Sequence, residues 1–238
     1  IGMVKVGVEV GLLPRKTRFN IDTPAGRVVA TAHMNGEKVE RVSFLNVPSF
    51  LLEKDLMLTV PEVGAVRCDI ASGGAFYAYV DADSVGVELV PEQYSRLIDV
   101  GMRIKRAVMD SYEIHHPDGE ADLNFLYGTI FVKIFDDDVR HSRNVCIFAE
   151  GEVDRSPTGT GVSGRLAIHH ARGELALNQE IVVESLIGTE FTGRVIETTT
   201  IGNLSAIIPE VSGTAHITGR HTFWIDPDDS LKSGFILR

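Results

Sequence analysis

The sequence predicts an α+β fold built from two similar halves, each a mostly antiparallel sheet curled around its own central helix. Most of the 238 residues fall into short apolar runs with strand-like alternation, separated by polar or glycine-containing turns. Only three stretches have the pattern of a helix. One helix followed by strands occurs at the start of the chain and another after residue 161, so the two halves are expected to be related.

An internal repeat relates these two helix–strand units. Equivalent residues are 162 positions apart throughout, without a gap. A chance alignment could match a few of them, but the constant spacing indicates duplication. The matched positions are Gly2 and Gly164, Gly11 and Gly173, Leu13 and Leu175, Gly26 and Gly188, and the strands 19–23 and 181–185.

The remaining elements follow from local pattern. The first helix covers residues 1–11, lacks an N-terminal capping residue and ends at Gly11, before Pro14. Paired glycines at 73–74 predict a close approach between two backbones. The predicted strands are 19–23, 27–32, 39–44, 56–60, 65–70, 76–80, 129–135, 145–148, 180–184, 193–198, 205–211 and 213–218, with 219–224 as an extension of the last.

One long helix lies outside the repeat. It begins at Pro91, a residue favoured in a first helical turn, and ends near residue 112. An apolar stripe along it predicts that the helix packs against a sheet as a scaffold element without a chemical role. The stripe consists of Leu97, Gly101, Ile104 and Val108.

Composition indicates a soluble protein that acts on a small molecule. The formal charge of −10 disfavours nucleic acid and acidic membranes as partners, since both are polyanions. No apolar run reaches the length of about 20 residues that spans a bilayer, and no signal peptide is visible, so the cytoplasm is the expected location. Cys68 and Cys146 lie in apolar runs and are interpreted as buried, reduced thiols.

The stretch 154–161, DRSPTGTG, is the strongest candidate for a binding site. A helix start offers unpartnered N–H groups and a positive dipole end, which suit an anion. Asp154 adds a cation-binding carboxylate four residues before the hydroxyl of Thr158, so the ligand would be zwitterionic, like an amino acid. The simpler alternative is that Ser156 or Thr158 caps the helix, with Pro157 and the glycines only shaping the turn.

Residues 148–161, FAEGEVDRSPTGTG, resemble the second active-site loop of the proline racemase family, which has the diaminopimelate-epimerase-like fold. The racemase form of that loop reads DRSPCGTG, so Thr158 stands where racemases and epimerases have their second cysteine. Threonine at this position is similar to the trans-3-hydroxy-L-proline dehydratase branch. Further matching segments are 22–26, 73–78, 125–130 and 224–229, so the resemblance covers nearly the whole chain.

The resemblance implies an imino acid held in a cleft between the two halves, with each helix N-terminus aimed into the cleft. Helix-start amides suit its carboxylate, Asp154 suits its ammonium, and Phe148 forms an apolar wall. Where many racemases and epimerases have a substrate-facing histidine, this chain has residues 126–129, LYGT. Tyr127 either lines the pocket or belongs to the core. The residues predicted to contact the substrate are Asp154, Gly159, Thr160, Gly161, Phe148 and Tyr127, with Thr158 as the catalytic residue.

Removal of the α-proton requires a base, and the repeat predicts where it lies. The partner of Thr158 falls five places before Ile1, where the family has a catalytic cysteine in a Met-Cys-Gly-His loop, so the sequence is expected to begin just after that loop, unless the molecule lacks it. Thr158 is a poor second base, but it can hydrogen-bond a substrate hydroxyl and help pass it a proton as it leaves. We therefore predict dehydration of trans-3-hydroxy-L-proline to pyrroline-2-carboxylate, with no cofactor and no metal.

Three alternatives stay open: a proline racemase, a 4-hydroxyproline 2-epimerase, and a protein that binds an imino acid without turning it over. The predicted domains are 1–47, the remainder of the first half; 48–218, the second half; and 219–238, a C-terminal segment that packs back on the first half. A homodimer is a possible assembly that the sequence does not decide. The pairs His115-His116 and His169-His170 and the run 136–138 are weak metal signals, better explained as polar connections and turns.

Overall fold

The computed structural model describes residues 1–118, 121–136 and 138–235. The helices are α1 (Gly2–Glu9), α2 (Tyr94–Ser111) and α3 (Gly159–Ala171). The strands are β1 (Arg18–Thr23), β2 (Gly26–Asn35), β3 (Lys38–Leu45), β4 (Ser49–Val60), β5 (Gly64–Ser72), β6 (Phe76–Asp81), β7 (Leu126–Phe135), β8 (Asp138–Phe148), β9 (Glu152–Val153), β10 (Glu180–Glu184), β11 (Glu190–Ile201) and β12 (Leu204–Gly213).

Within the described residues, eight strands close into a barrel around α3. Their hydrogen-bonded order is β12, β11, β10, β8, β7, β6, β5 and β4, and β4 pairs back with β12. Neighbours run antiparallel except β6 with β7 and β8 with β10. Residues 161–169 of α3 are all buried, because strands lie on every side of the helix. This barrel confirms the predicted sheet curled around a central helix.

The smaller unit, α1 with β1, β2 and β3, repeats this arrangement. Val4 and Val8 of α1 are buried against β2 and β3. β3 pairs with β12. The three strands of the smaller unit follow in the order β3, β2, β1 on one side of this pair, and their equivalents follow in the order β12, β11, β10 on the other. The sheet is therefore continuous across the repeat. The domain boundaries after residues 47 and 218 stay predictions.

Helix ends confirm the duplication at the level of the backbone. α1 ends at Glu9 and α3 at Ala171, which are equivalent positions. Gly11 and Gly173 follow with φ angles of 79° and 72°, the left-handed conformation that glycine adopts without a steric penalty at a helix C-terminus.

The long helix is the predicted scaffold element. Pro91–Gln93 forms a single 3₁₀ turn before α2, and the whole predicted stripe on α2 is buried. A Cβ on Gly101 would come within 2.8 Å of Ile147, so the absence of a side chain there brings α2 close to the outer face of β8. Lys105 on this helix donates a hydrogen bond of 2.6 Å to the Ala149 carbonyl, close to the candidate site loop.

The predicted strand 213–218 and its extension 219–224 are wrong beyond Gly213, where β12 ends. Residues 214–224 have neither helical nor strand geometry. Phe223 is 86% exposed and Trp224 93% exposed, so the apolar residues of this segment cover no sheet face within the described chain. Alternation specifies a strand only where a neighbouring strand supplies hydrogen-bond partners.

Other expectations concern smaller features. β7 ends at Phe135 and β8 begins at Asp138, so the chain turns between these two strands where the turn at 136–138 was predicted. Residue 137 lies outside the described residues, as do residues 119–120 of the predicted polar connection. Cys68 and Cys146 are free and buried, as predicted. Among the described residues, no helix is long and apolar enough to cross a membrane.

Candidate active site

A cavity of about 580 Å³ is lined by the first residues of both α1 and α3. The two equivalent helix starts of the repeat therefore border one space, as the sequence predicted. Six of the predicted site residues line this cavity: Tyr127, Phe148, Asp154, Thr158, Gly159 and Thr160.

Thr158 immediately precedes α3 and has an unusual backbone conformation. Its φ of 69° is rare for a β-branched residue, because the branched Cβ crowds the backbone there. Two hydrogen bonds hold it: the Thr158 hydroxyl donates to Asp154 Oδ2 at 2.9 Å, and the Thr158 N–H donates to Ser156 Oγ at 3.1 Å. The hydroxyl is thus fixed at the floor of the cavity and oriented by a carboxylate.

Asp154 organises the loop as well as lining the cavity. Its Oδ1 accepts the Ser156 N–H at 2.8 Å while its Oδ2 accepts the Thr158 hydroxyl. Since an ionised carboxylate has about four acceptor positions, further donors can still bind it. A cation in the cavity would meet a carboxylate that is already held in position.

Neighbouring strands anchor the rest of the loop. The Asp154 N–H donates to the Cys146 carbonyl at 3.1 Å, and the Asn144 side chain donates to the Pro157 carbonyl at 3.3 Å, both on β8. The Thr189 hydroxyl, in the β10–β11 turn, donates to the Arg155 carbonyl at 3.1 Å. The loop therefore has fixed geometry without a ligand.

Close packing places the start of α3. A Cβ on Gly73 would lie 2.3 Å from the Thr160 carbonyl oxygen, so the predicted close approach at 73–74 is confirmed and its partner is the first turn of α3. Gly161 lies deeper than Gly159 and Thr160; it is buried, with Ile130 at 2.5 Å from where a Cβ would stand. The first N–H groups of the helix have no carbonyl one turn earlier to receive them, which leaves them for an anion.

Aromatic side chains form one wall. The rings of Tyr127 and Phe148 are 5.4 Å apart, and Tyr77 packs edge-on against Tyr127 at 5.9 Å. The Tyr77 and Thr160 hydroxyls are 2.9 Å apart. Burial raises the pKa of Tyr77, so it stays a neutral hydroxyl beside the start of α3. Of the two alternatives for Tyr127, cavity wall and core, the geometry supports the wall.

Sequence reasoning missed several residues of this cavity. They come from β3, β6, β11 and the segment after β12, far from the loop in the chain: Phe44, Tyr77, Phe191, Thr214, Ala215 and His216. Tyr77 alone had a signal, since it follows the predicted glycine pair that packs on α3.

Comparison with known proteins places the chain in a family. The family model described as proline racemase matches residues 1–236. The chain belongs to the proline racemase family. Over its full length it is 48% identical to a trans-3-hydroxy-L-proline dehydratase of Colwellia psychrerythraea, 68% of which it covers. It is 41% identical to a 3-hydroxyproline 2-epimerase of Burkholderia multivorans, again over its full length and over 72% of that protein.

A solved structure agrees with this membership. A hydroxyproline epimerase from Agrobacterium vitis with bound trans-4-hydroxy-L-proline superposes with a TM-score of 0.91 and is 32% identical. The match covers 99% of this chain and 68% of that one. The proline racemase fold is thus shared across the whole of this chain.

Neither cysteine of this proline racemase family member can serve as the base. Burial raises the pKa of Cys146 to about 12, although the neighbouring Thr158 hydroxyl acts in the opposite direction. Burial also raises the pKa of Cys68 to about 12. A thiol with such a pKa is almost entirely protonated near neutral pH and does not remove a proton from carbon.

The histidine pairs have structural contacts. His116 packs edge-on against Phe50 and Phe76, with ring centroids 5.9 and 6.1 Å apart. His169 Nδ1 lies 2.6 Å from Glu174 Oε2. Within the described ranges, no group of three or more His, Cys, Asp or Glu side chains is arranged to hold a metal ion.

Proposed function

We propose that the protein dehydrates trans-3-hydroxy-L-proline to pyrroline-2-carboxylate. The observation that carries the proposal is Thr158, whose hydroxyl borders the cavity at the position where the racemase form of the loop has a cysteine. The dehydratase name of the 48% identical relative supports it. So do relatives of the same name in Azospirillum brasilense and Burkholderia cenocepacia, each 40% identical.

The substrate zwitterion fits the charges of the cavity. Its carboxylate binds the N–H groups of Gly159, Thr160 and Gly161 at the positive end of α3. Its ring ammonium binds Asp154, and the ring packs against Phe148 and Tyr127. Because the carboxylate, the ammonium and the ring each have their own contact, the Cα–H bond has a single orientation.

The reaction removes the Cα proton and then the 3-hydroxyl group. A base on the α1 side removes the Cα proton, while the amides of α3 stabilise the charge that develops on the carboxylate. The family resemblance implies a cysteine thiolate as this base, at the position of the repeat that is equivalent to Thr158. The electron pair of the C–H bond forms the Cα=Cβ bond, and the C–O bond to the 3-hydroxyl breaks. Thr158 hydrogen-bonds the departing oxygen and passes its hydroxyl proton to it, so that the oxygen leaves as water. Thr158 regains a proton from solvent, the base releases the Cα proton to solvent, and the enamine tautomerises to the cyclic imine.

Epimerisation of a hydroxyproline is the second candidate, because a 41% identical relative and a structural neighbour have epimerase names. It needs a second acid to return a proton to the opposite face of Cα. Threonine, whose hydroxyl has a far higher pKa than a thiol, supplies that proton poorly. Retention of the 3-hydroxyl in the product distinguishes this candidate from dehydration.

The proposal is tested by incubating the full-length protein with trans-3-hydroxy-L-proline and an imine-trapping reagent. Wild type should form trapped imine, and Thr158→Val should lose about 100-fold or more of that rate, the typical contribution of a proton-transferring side chain. Thr198→Val, at an exposed threonine of β11, is the matched control and should keep the wild-type rate. An epimer of 3-hydroxyproline formed without imine, or racemised proline in a parallel incubation with L-proline, would move the assignment to the isomerases.

Two further expectations concern the molecule in solution. A cytoplasmic location and a homodimer stay predictions, and light scattering after size-exclusion chromatography checks the dimer. A small imino acid is the proposed partner, supported by the substrates in the names of the relatives.

A further inference from the structure

A second cavity, of about 240 Å³, surrounds the C-terminal half of α3, beyond the end that carries Thr158. Arg165 and His169 of α3 enter it, together with Cys68 and Asp69 of β5 and Tyr79 of β6. Asp81 and Arg67 at its rim are exposed, so solutes can reach it. None of these residues takes part in the proposed dehydration.

Arg165 is a buried cation without an anion. It is 2% exposed, and its Nη1 donates to Ser142 Oγ at 2.7 Å and to Asn144 Oδ1 at 2.9 Å, both neutral groups. Its Nη2 is buried and has no hydrogen-bond partner in the described parts of the chain. Burial lowers the pKa of Arg165 to about 10, so it is still charged near neutral pH. A buried charge without a counter-ion is destabilising, and an anionic ligand would offset that cost.

The carboxylates around this cavity already have partners. Arg172 Nη2 donates to both oxygens of Asp69, at 2.8 and 2.9 Å, and to Asp55 Oδ1 at 2.8 Å. Glu174 Oε2 is held by His169. Of the arginines that line the cavity, Arg165 is the one with no carboxylate within ion-pair distance among residues 1–118, 121–136 and 138–235.

His169 lines the same cavity. An ionised carboxylate only accepts, so the 2.6 Å contact to Glu174 places the ring proton on Nδ1. Burial and the charge of Arg165 lower the pKa of His169 to about 4, and the ring is neutral. Nε2 is then an acceptor, and it is buried with no partner in the described structure. The ligand must accept from Arg165 and donate to His169.

We propose that this cavity binds a small oxyanion that retains a proton, such as hydrogenphosphate, with its charged oxygens on Arg165 Nη2 and its hydroxyl donating to His169 Nε2. Sulfate has the same size and charge as hydrogenphosphate but carries no proton near neutral pH. An oxygen lone pair of sulfate would therefore face the lone pair of His169 Nε2, and the two would repel each other. Hydrogencarbonate shares the required chemistry. The discrimination between protonated and unprotonated oxyanions is the signature of the site.

Calorimetric titration of the full-length protein with potassium phosphate, potassium sulfate and sodium hydrogencarbonate, at matched ionic strength near neutral pH, tests this site. Phosphate, hydrogencarbonate or both should bind saturably, and sulfate at least about tenfold more weakly, the equivalent of one charge-assisted hydrogen bond. His169→Phe should weaken binding about tenfold and narrow the preference over sulfate. All titrations are run in excess L-proline, whose carboxylate occupies the start of α3, so that the heat reports the second cavity alone.

Arg165→Met should abolish binding. If that variant does not fold, the proposal is tested by His169→Phe and by a crystal structure. Crystals soaked in phosphate should show a tetrahedral anion between Arg165 Nη2 and His169 Nε2. Equal binding of sulfate and phosphate, an unchanged titration of His169→Phe, or only water between these two atoms would each overturn the proposal.

Discussion

Thr158 combines a positive φ with a hydroxyl fixed by a carboxylate. A non-glycine residue in this conformation costs on the order of 1 kcal/mol or more and persists only where its surroundings enforce it. Here the enforcing contacts come from Asp154 and Ser156, two members of the same loop. The loop thus holds the hydroxyl in place before substrate arrives.

Thr158→Cys should change the reaction as well as its rate. A thiol can return a proton to Cα, whereas the threonine hydroxyl cannot do so readily, so we expect α-epimerisation to appear while dehydration falls by about 100-fold. Chiral chromatography of the remaining hydroxyproline, beside the imine assay, measures both. Thr158→Ser keeps the hydroxyl and is the matched control; dehydration unchanged in Thr158→Cys would contradict the role of the hydroxyl.

Asp154→Asn should weaken substrate binding. The amide keeps the shape of the side chain but loses the charge that pairs with the ring ammonium, so KM should rise by about tenfold or more. Steady-state kinetics checks this, with Asp99→Asn on the exposed face of α2 as the control. Equal KM values for wild type and Asp154→Asn would remove Asp154 from the binding site.

At the scale of single elements, glycine decides how close α3 lies to the strands around it. Gly161 and Gly164 leave room for Ile130 of β7 and the Tyr79 hydroxyl of β6, and Gly73 meets the first turn of α3 directly. The Tyr79 hydroxyl also donates to the Gly161 carbonyl at 2.8 Å. These contacts set the position of the helix start and of the amides that would bind the substrate.

Gly73→Ala should displace the start of α3 and destabilise the protein by about 1–3 kcal/mol, since a new Cβ would overlap the Thr160 carbonyl oxygen. Urea unfolding gives the stability change, and KM should rise with it. Gly219→Ala is the control, because its Cβ would meet only the side chain of exposed His221, and it should change stability by less than about 0.5 kcal/mol. Wild-type stability in Gly73→Ala would show that the helix start is not tightly packed.

The elements that could be predicted from the sequence are those whose determinants lie close together in the chain. The helix ends at Gly11 and Gly173, and the loop 154–161, were predictable because their determinants are contiguous in the chain. The failure at 213–218 has a tertiary cause, since none of the described strands pairs with the chain beyond Gly213. His216 joins the site only through the path of the chain after β12, which no local pattern encodes, whereas Tyr77 lies beside the predicted glycine pair.

At the scale of the whole molecule, duplication places two equivalent helix starts at one cavity. The β3–β12 pair joins the two repeats, so α1 and α3 are held by one continuous sheet. In the proposed reaction, the dipole of α3 and the carboxylate of Asp154 position the two charges of the substrate. The same barrel buries Arg165 and His169 along α3, with consequences for stability.

Stability should fall in mild acid because of His169. Glu174, Arg165 and Arg172 face this ring, and its pKa of about 4 in the folded protein lies below the ordinary value of 6.5. Above pH 6.5 both states hold the ring neutral, so it has no effect; as the pH falls from 6.5 towards 4 the unfolded chain binds the extra proton, and stability declines by on the order of 1–3 kcal/mol.

Urea unfolding in buffers without phosphate, at several pH values in this window, checks the prediction. His169→Phe cannot titrate, so its stability should decline less with acid than that of wild type. Parallel pH profiles for the two proteins would contradict the assignment of His169 as a neutral buried ring.

The proton NMR spectrum of trans-3-hydroxy-L-proline incubated with the full-length protein in D₂O tests the central claim most directly. The account predicts that the signals of the 2- and 3-protons decay together as those of pyrroline-2-carboxylate grow, with no accumulation of an epimer. Growth of an α-deuterated epimer that keeps its 3-hydroxyl would contradict it, as would a spectrum that does not change.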